Sequence, residues 1–297
     1  MHQLGLENPF GTPIYHIDET TSTMDEARRL TAAAINTAAG SGAEAPVPPA
    51  GAGLHGTVIV ADYQRAGRGR AAGRTWHAAP GESLLCTLIL QFPRLQEIPA
   101  ALPLRLGVAV ALTLEELWPQ LAGRTRLKWP NDVLIDGKKV CGILCEGASP
   151  WVYAGMGINL LQKEFPPELS HRSISVLQAR GGEQKVKDGI DRYRLLINLL
   201  QHSKDLLAER AFAGRDSADM TAKAGKSTDV DWHRELDRRL YKKGERVRFL
   251  AGSAEEPSEV RGILDGVSAT GELLIRTEGE RQSRAFITGE LDVYNRP

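Results

Sequence analysis

Thirteen residues, Gln64 to Trp76 (QRAGRGRAAGRTW), carry four arginines, Arg65, Arg68, Arg70 and Arg74, among three glycines. No acidic side chain interrupts the stretch between Asp62 and Glu82. Glycine lets the backbone take positive φ and come close to a ligand. Each guanidinium offers a planar fork that meets carboxylate or phosphate oxygens at two points. Crowding like charges is unfavourable unless an anion neutralises them, and one charge pair at about 4 Å is worth on the order of 4 kcal/mol at an effective dielectric near 20. The segment therefore reads as an anion-binding loop, expected to be mobile when empty and ordered when filled. Taken alone, the thirteen residues fit a phosphate site, a nucleic-acid contact or a solvated loop equally well.

The elements around the loop favour a held site. It lies between two apolar runs, GTVIVADYQ (56–64) and ESLLCTLILQF (82–92), that predict strands, the second apolar enough for burial on both faces. Upstream, IYHID predicts a short strand and TTSTMDEARRLTAAA a helix, with Thr23 and Glu26 fitting a capping box. Residues 37–53, mostly Ala, Gly and Pro, read as a flexible insertion in a surface loop. A helix follows over about 100–118, then strand, turn and strand in RLKWPNDVLIDGKKVCGILCEG, with Asp136-Gly137 as the tight turn. WVYAGMGINL predicts another strand, and 186–213 an amphipathic helix followed by a polar stretch. Beyond Gly244, short alternating runs between Gly, Asp and Ser turns are the pattern of a small all-β barrel.

Composition narrows the partners. The chain has 297 residues, 42% hydrophobic and 25% charged, with 37 basic and 37 acidic side chains. That balance excludes wholesale attraction to nucleic acid or an anionic membrane, so any anion site is local. Three cysteines, Cys86, Cys141 and Cys145, without framework spacing, point to reduced thiols in a cytoplasmic protein. With no histidine or third cysteine nearby, Cys141 and Cys145 read as small core residues rather than a metal pair. No signal-peptide pattern opens the chain and no run approaches eighteen uninterrupted apolar residues, so neither export nor a membrane span is expected.

A second segment, KWPNDVLIDGKKVCGILCE (128–146), joins the arginine loop, TSTMDEA upstream and GMGIN downstream. Together, in this order and approximate spacing, they resemble the biotin–protein ligases. The resemblance runs from Ile14 to Tyr294 apart from the insertion, and the predicted barrel stands where such enzymes carry a C-terminal module. It implies an α+β fold: a mixed, mainly antiparallel sheet with flanking helices, class II synthetase-like, over 1–240, and an SH3-like β-barrel over 241–297. It also implies a two-step reaction. Biotin and ATP, with Mg²⁺ expected, form biotinyl-5′-AMP and pyrophosphate; a lysine of a biotin carboxyl carrier protein or domain then takes the biotinyl group as an amide.

The resemblance assigns roles residue by residue. Lys128 is the catalytic lysine beside the biotin carboxyl and α-phosphate, and Arg68 and Arg70 embrace the carboxylate and phosphates. Ser22, Thr23 and Gln64 contact the ureido ring, Met24 lines the pocket and Gly69 offers its backbone amide. Trp76, Arg74 and Asn159 are the adenylate candidates. Asn131 and Asp132 orient Lys128, help hold Mg²⁺ or cap the turn. Read without the family, Ser22 and Thr23 equally cap a helix, and GMGIN is equally a glycine bulge. The chain departs from the family twice. Ala71 and Ala72 stand where one residue is usual, and Met24 stands where asparagine is frequent, so one polar contact is absent or made by a neighbour.

The resemblance begins by Ile14, so the N-terminal DNA-binding domain that makes some of these ligases repressors is not expected. A lipoate–protein ligase is the nearer alternative, since it shares the fold class and the adenylation chemistry. A nucleic-acid-binding protein that uses the arginine loop is the non-enzyme alternative. A homodimer is left open, and neither a DNA nor a membrane partner is expected.

Overall fold

The apolar run Ser83–Gln91 is buried along almost its whole length, and the chain is organised around it. The computed structural model describes residues 1–38, 53–70, 75–76, 78–182, 189–208, 231–252 and 256–292. In chain order the first elements are β1 (His2–Gln3), β2 (Ile14–Thr20), α1 (Thr23–Ala38), β3 (Val58–Gln64), β4 (Ser83–Gln91) and α2 (Leu102–Leu117). They continue with β5 (Thr125–Lys128), β6 (Asp132–Ile135), β7 (Lys138–Ala148) and β8 (Trp151–Asn159). Among the described residues these strands form one eight-stranded sheet in the order β1-β2-β3-β4-β8-β7-β6-β5. Only β2 and β3 run parallel, so the sheet is mixed and mainly antiparallel, as expected.

Alternation along β4 gives the sheet two different faces. Leu84, Cys86, Leu88 and Leu90 pack into the layer formed by α2 and, further along the chain, α5 (Arg192–Ala208). Thr87 and Ile89 look the other way, toward α1, whose Met24, Ala27 and Leu30 cover Ile59, Ile89 and Tyr153. The stretch Leu95–Leu117 is long and apolar enough by composition to cross a membrane. Here it supplies the core helix, with Leu106, Val108, Ala109, Val110, Ala111 and Leu114 wholly buried.

Two short helices, α3 (Pro167–Ser170) and α4 (Val176–Ala179), precede α5, and α6 (Trp232–Arg239) follows it. The polar stretch after α5 hid α6. Its buried face is Trp232, Leu236 and the charged Arg239, which is paired with Glu115 at 2.6 Å. Of the expected helix over 186–213, residues 189–208 are described, and the helix α5 begins only at Arg192. Of the expected insertion, 37–38 belong to α1 and 39–52 lie outside the described residues.

After Gly244 come β9 (Arg246–Ala251), β10 (Ser258–Val267), β11 (Leu273–Thr277), β12 (Arg284–Phe286) and β13 (Gly289–Asp292). They form a five-stranded antiparallel sheet in the order β12-β11-β10-β9-β13, consistent with an SH3-like module. Trp129, just after β5, joins the two sheets. Its Nε1 donates to Gly271 O at 2.9 Å and its ring lies edge-on to Phe249, 5.8 Å between centroids.

The cysteines sit where their apolar surroundings suggest. Cys86 and Cys141 are buried, and burial pushes the Cys86 thiol up to about 12 and raises Cys141 as well. The thiolate is the reactive form. We expect iodoacetamide at pH 8 to leave Cys86 and Cys141 unmodified in the native protein and to alkylate both in urea. Peptide mass mapping checks this, and labelling of either residue without unfolding would contradict the burial.

Candidate active site

Three glycines leave the α1 side of the sheet bare where β7 and β8 meet. Gly142 faces Gly157 across the pair, and Leu144 faces Gly155. A Cβ on Gly157 would stand 2.8 Å from the Trp76 indole, one on Gly155 3.0 Å from Met24 Sδ, and one on Gly142 3.0 Å from Lys139 Nζ. The register of β8 is unbroken against both β4 and β7, so GMGIN is regular strand and not a bulge. Above this floor opens a narrow cleft with a cavity volume of about 70 Å³. Ser22, Thr23, Met24, Gln64, Arg68, Gly69, Arg70 and Trp76, all singled out in the sequence, line it together.

The start of α1 forms one wall. Ser22 caps the helix: its carbonyl accepts from the amides of Asp25 at 3.0 Å and Glu26 at 3.2 Å. The expected Thr23–Glu26 capping box is not formed, because Glu26 Oε1 accepts from Thr20 and Arg29 instead, both at 2.6 Å. Thr23 turns to Gln64, whose Oε1 accepts its amide at 2.7 Å and its hydroxyl at 2.9 Å. Thr87 donates to that hydroxyl at 2.8 Å. A backbone N–H can only donate, so the Gln64 atom at 2.7 Å is its oxygen and the amide orientation is settled. Its Nε2 amino group is left as a donor beside Gly67.

The arginine loop is held on both sides. Trp76 N donates to Gly67 O at 3.0 Å and Arg68 forms a β-bridge with Thr75. Arg65 pairs with Glu19 at 3.0 Å. Arg68 clasps Asp25 with both terminal nitrogens, at 3.0 and 2.8 Å. Arg70 reaches the C-terminal sheet, donating to Gly289 O at 2.8 Å. The hydrogen bond from Arg68 holds the Asp25 carboxyl below its ordinary value of 3.8, so the pairing is complete above that value and is lost as pH falls through the lowered one. Arg74, Ala71 and Ala72 lie outside the described residues.

The lysine is a correction. Lys128 does not line the cleft: it ends β5, is 4% exposed, and lies two strands from β7 at the sheet's far edge. Lys139 lines the cleft instead. Simple alternation would set residues 139 and 142 on opposite faces of β7. A bulge opposite Val133 and Leu134 inserts Val140 as an extra residue, and it brings Lys139 round to the side of Gly142. Asp132 Oδ1 then holds Lys139 Nζ at 2.6 Å, and the ammonium lies 5.9 Å from the centre of the Trp76 ring. Asp132 therefore orients Lys139. Asn131 staples the turn to β7, with Nδ2 donating to Ile143 O at 2.6 Å and its carbonyl accepting from Ile143 N at 3.0 Å.

Asn159 is a second correction. It is buried at the end of β8, outside the cleft lining, donating to Ile174 O at 3.3 Å and accepting from Gln162 at 3.4 Å. Sequence reasoning missed Lys139, Thr87 and Gly142; the one available signal was the glycine three residues after a lysine in a strand that already carried a hairpin turn. Among the described residues, those lining the cleft include no carboxylate. The grouping of His16, Asp18 and Asp62 lies on β2 and β3 outside that lining, and Arg192 already holds Asp62 at 2.6 Å.

Comparison with known proteins gives the following. The biotin/lipoate A/B protein ligase family matches residues 54–159. The bifunctional ligase/repressor BirA of Bacillus subtilis (strain 168) is 42% identical over 151 residues, 48% of this chain and 44% of that protein, so the match spans less than half of that relative's length. The biotin--[acetyl-CoA-carboxylase] ligase of Paracoccus denitrificans is 31% identical over 239 residues, 77% of this chain and 88% of that protein. The biotin protein ligase from Aquifex aeolicus, solved in complex with biotin and ATP, is similar in structure with a TM-score of 0.66 and 27% identity, over 94% of this chain and 97% of that one.

The floor makes a direct prediction. Gly157→Ala is expected to unseat Trp76 while the sheet holds, with the melting temperature falling by about 2–4 °C, the equivalent of about 1 kcal/mol at this size. Tryptophan emission should change on this substitution and should not change in a Trp76→Phe background. An equal change in both backgrounds would mean that Trp76 does not rest on the floor.

Proposed function

This chain belongs to the biotin–protein ligases, and we propose that it joins biotin to ATP as biotinyl-5′-AMP and passes the biotinyl group to a lysine of a biotin carboxyl carrier domain. The observation that carries the proposal is the pairing of a side-chain-free floor with a cationic rim. Lys139, Arg68 and Arg70 surround a cleft whose described lining has no carboxylate. An enzyme that brings a carboxylate onto a phosphate needs that arrangement, because two anions meet in the transition state.

In the first step a biotin carboxylate oxygen bonds to the α-phosphorus, and the bond to the bridging oxygen breaks as pyrophosphate leaves with its electrons. Lys139 sits where it can neutralise charge on both reactants, and Asp132 fixes its direction. In the second step the carrier lysine's amine attacks the acyl carbon and AMP departs. Leu85, Leu144 and Met24 suit the apolar body of biotin, and Ser22, Thr23 and Gln64 its ureido group. Met24 packs its thioether over Gly155, so the polar contact an asparagine would make there passes to these neighbours.

Trp76 offers a flat ring for the adenine. Its Nε1 is buried with no hydrogen-bond partner among the described residues, and a ligand oxygen would satisfy it. The lining supplies no acidic ligand set for Mg²⁺, so we assign the ion no protein site and expect it to arrive on the phosphates of ATP. Buried thiols accord with a cytoplasmic location. The lipoate alternative is not favoured, since the relatives and the solved structure above are biotin ligases.

Biotin-dependent ATP–pyrophosphate exchange tests the proposal. Lys139→Ala should lower exchange by about 10²–10³-fold, the usual effect of removing one positioned donor. Lys128→Met should keep the rate per folded molecule within a few-fold. The opposite pattern would return the catalytic role to Lys128, and exchange driven by lipoate but not biotin would defeat the substrate assignment.

A further inference from the structure

We propose that Asp25 is a positioning residue for the ligase reaction: by gripping Arg68 it latches the arginine loop to the start of α1 and slows escape of the acyl-adenylate. The inference rests on the ligase reading above. Asp25 does not line the cleft itself, but the residues before it, Ser22, Thr23 and Met24, and the arginine it holds all do.

The geometry suits a latch. A guanidinium carries five N–H donors. Asp25 takes one on each terminal nitrogen, so among the described residues the Nε–H and one hydrogen on each terminal nitrogen are left for an anion in the cleft. Arg68 can therefore hold Asp25 and a ligand together. Asp25 is itself anchored: Arg28 stands 3.6 Å from its Oδ1, bonds Glu146 on β7 and lies 5.3 Å over the Tyr153 ring. Charges of alternating sign thus run from the loop across α1 to the sheet.

Stability does not account for this pairing. The Arg68 and Asp25 side chains are 38% and 29% exposed, and ion pairs this open contribute little to folding. Arg65 makes a similar pair with Glu19, yet Arg65 does not line the cleft. What separates Arg68 is that its position matters to the ligand. An arginine ordered before binding loses less side-chain freedom on binding, which corresponds to about threefold to tenfold in affinity.

The experiment loads the full-length protein with radiolabelled biotin and Mg·ATP, removes pyrophosphate with pyrophosphatase, and chases with unlabelled biotin and ATP. Release of labelled adenylate is timed for wild type, Asp25→Ala, Arg68→Ala and the double variant, with melting temperatures alongside. Asp25→Ala should speed release about threefold to tenfold, and the double variant should release no faster than Arg68→Ala alone, because Asp25 acts through Arg68. Where Asp25→Ala melts well below wild type, Asp25→Asn, which keeps the size of the side chain, takes its place. Release at the wild-type rate overturns the latch. Additive effects in the double variant overturn it as well, since they describe a helix-start carboxylate that acts independently of Arg68. Wild-type protein that forms no adenylate defeats the ligase reading itself, and the latch with it.

Discussion

Positive charge gathered for an absent anion has to be held by something while the site is empty. Arg68, Arg70 and Lys139 would repel one another in a bare cleft, with Arg65 adding its charge nearby, and each has a separate counterpart: Asp25, the Gly289 carbonyl, Asp132 and, for Arg65, Glu19. None of the three carboxylates lines the cleft. They draw charge outward from behind the cationic heads and leave the inner edges of those heads to a ligand. This division of roles lets one segment be strongly basic in a chain with no net charge. It also gives each cation a fixed direction, which matters more than its number where two anions must meet at one point.

The floor solves a second problem, that of space. An antiparallel sheet normally projects a side chain from every other residue on each face. Gly142, Gly155 and Gly157 remove three of these from adjoining strands, and Trp76, Met24 and Lys139 come down into the room left over. The bulge in β7 belongs to the same solution. Were Val140 in regular register, Lys139 would point into the α2 layer, among apolar side chains where burying a charge is costly.

Much of this was legible because it is local. Asp136-Gly137 has positive φ at both residues, 50° and 77°, as the dipeptide suggested, and the hairpin follows. The continuous apolar run of β4 is buried on both faces as it reads. What sequence could not carry was parity and distance. The resemblance pointed to Lys128, but β5 lies at the sheet's edge, and the chain passes through β6 and a second turn before β7 brings a lysine to the cleft. The bulge that selects Lys139 leaves no mark in local alternation. Thr23 fitted a capping box by spacing alone, yet Gln64, 41 residues later, claims its hydroxyl. Asn159 looked like a reader at a strand end, and its amide is occupied by a carbonyl of the next loop.

The C-terminal sheet touches one residue of the cleft lining and one of the residues behind it. Through Gly289 it receives Arg70, and through Gly271 it receives the indole of Trp129. Trp129 opens the turn whose Asn131 is stapled to β7 and whose Asp132 directs Lys139. A shift of this sheet would therefore move a cation on the loop and, through one short turn, the support of a cation on the floor. Both contacts accept at backbone carbonyls, so they depend on the position of the turns rather than on which side chains the turns carry. The barrel's bearing on the site is thus a matter of where its chain runs, and its surface residues are left free to differ without disturbing either cation.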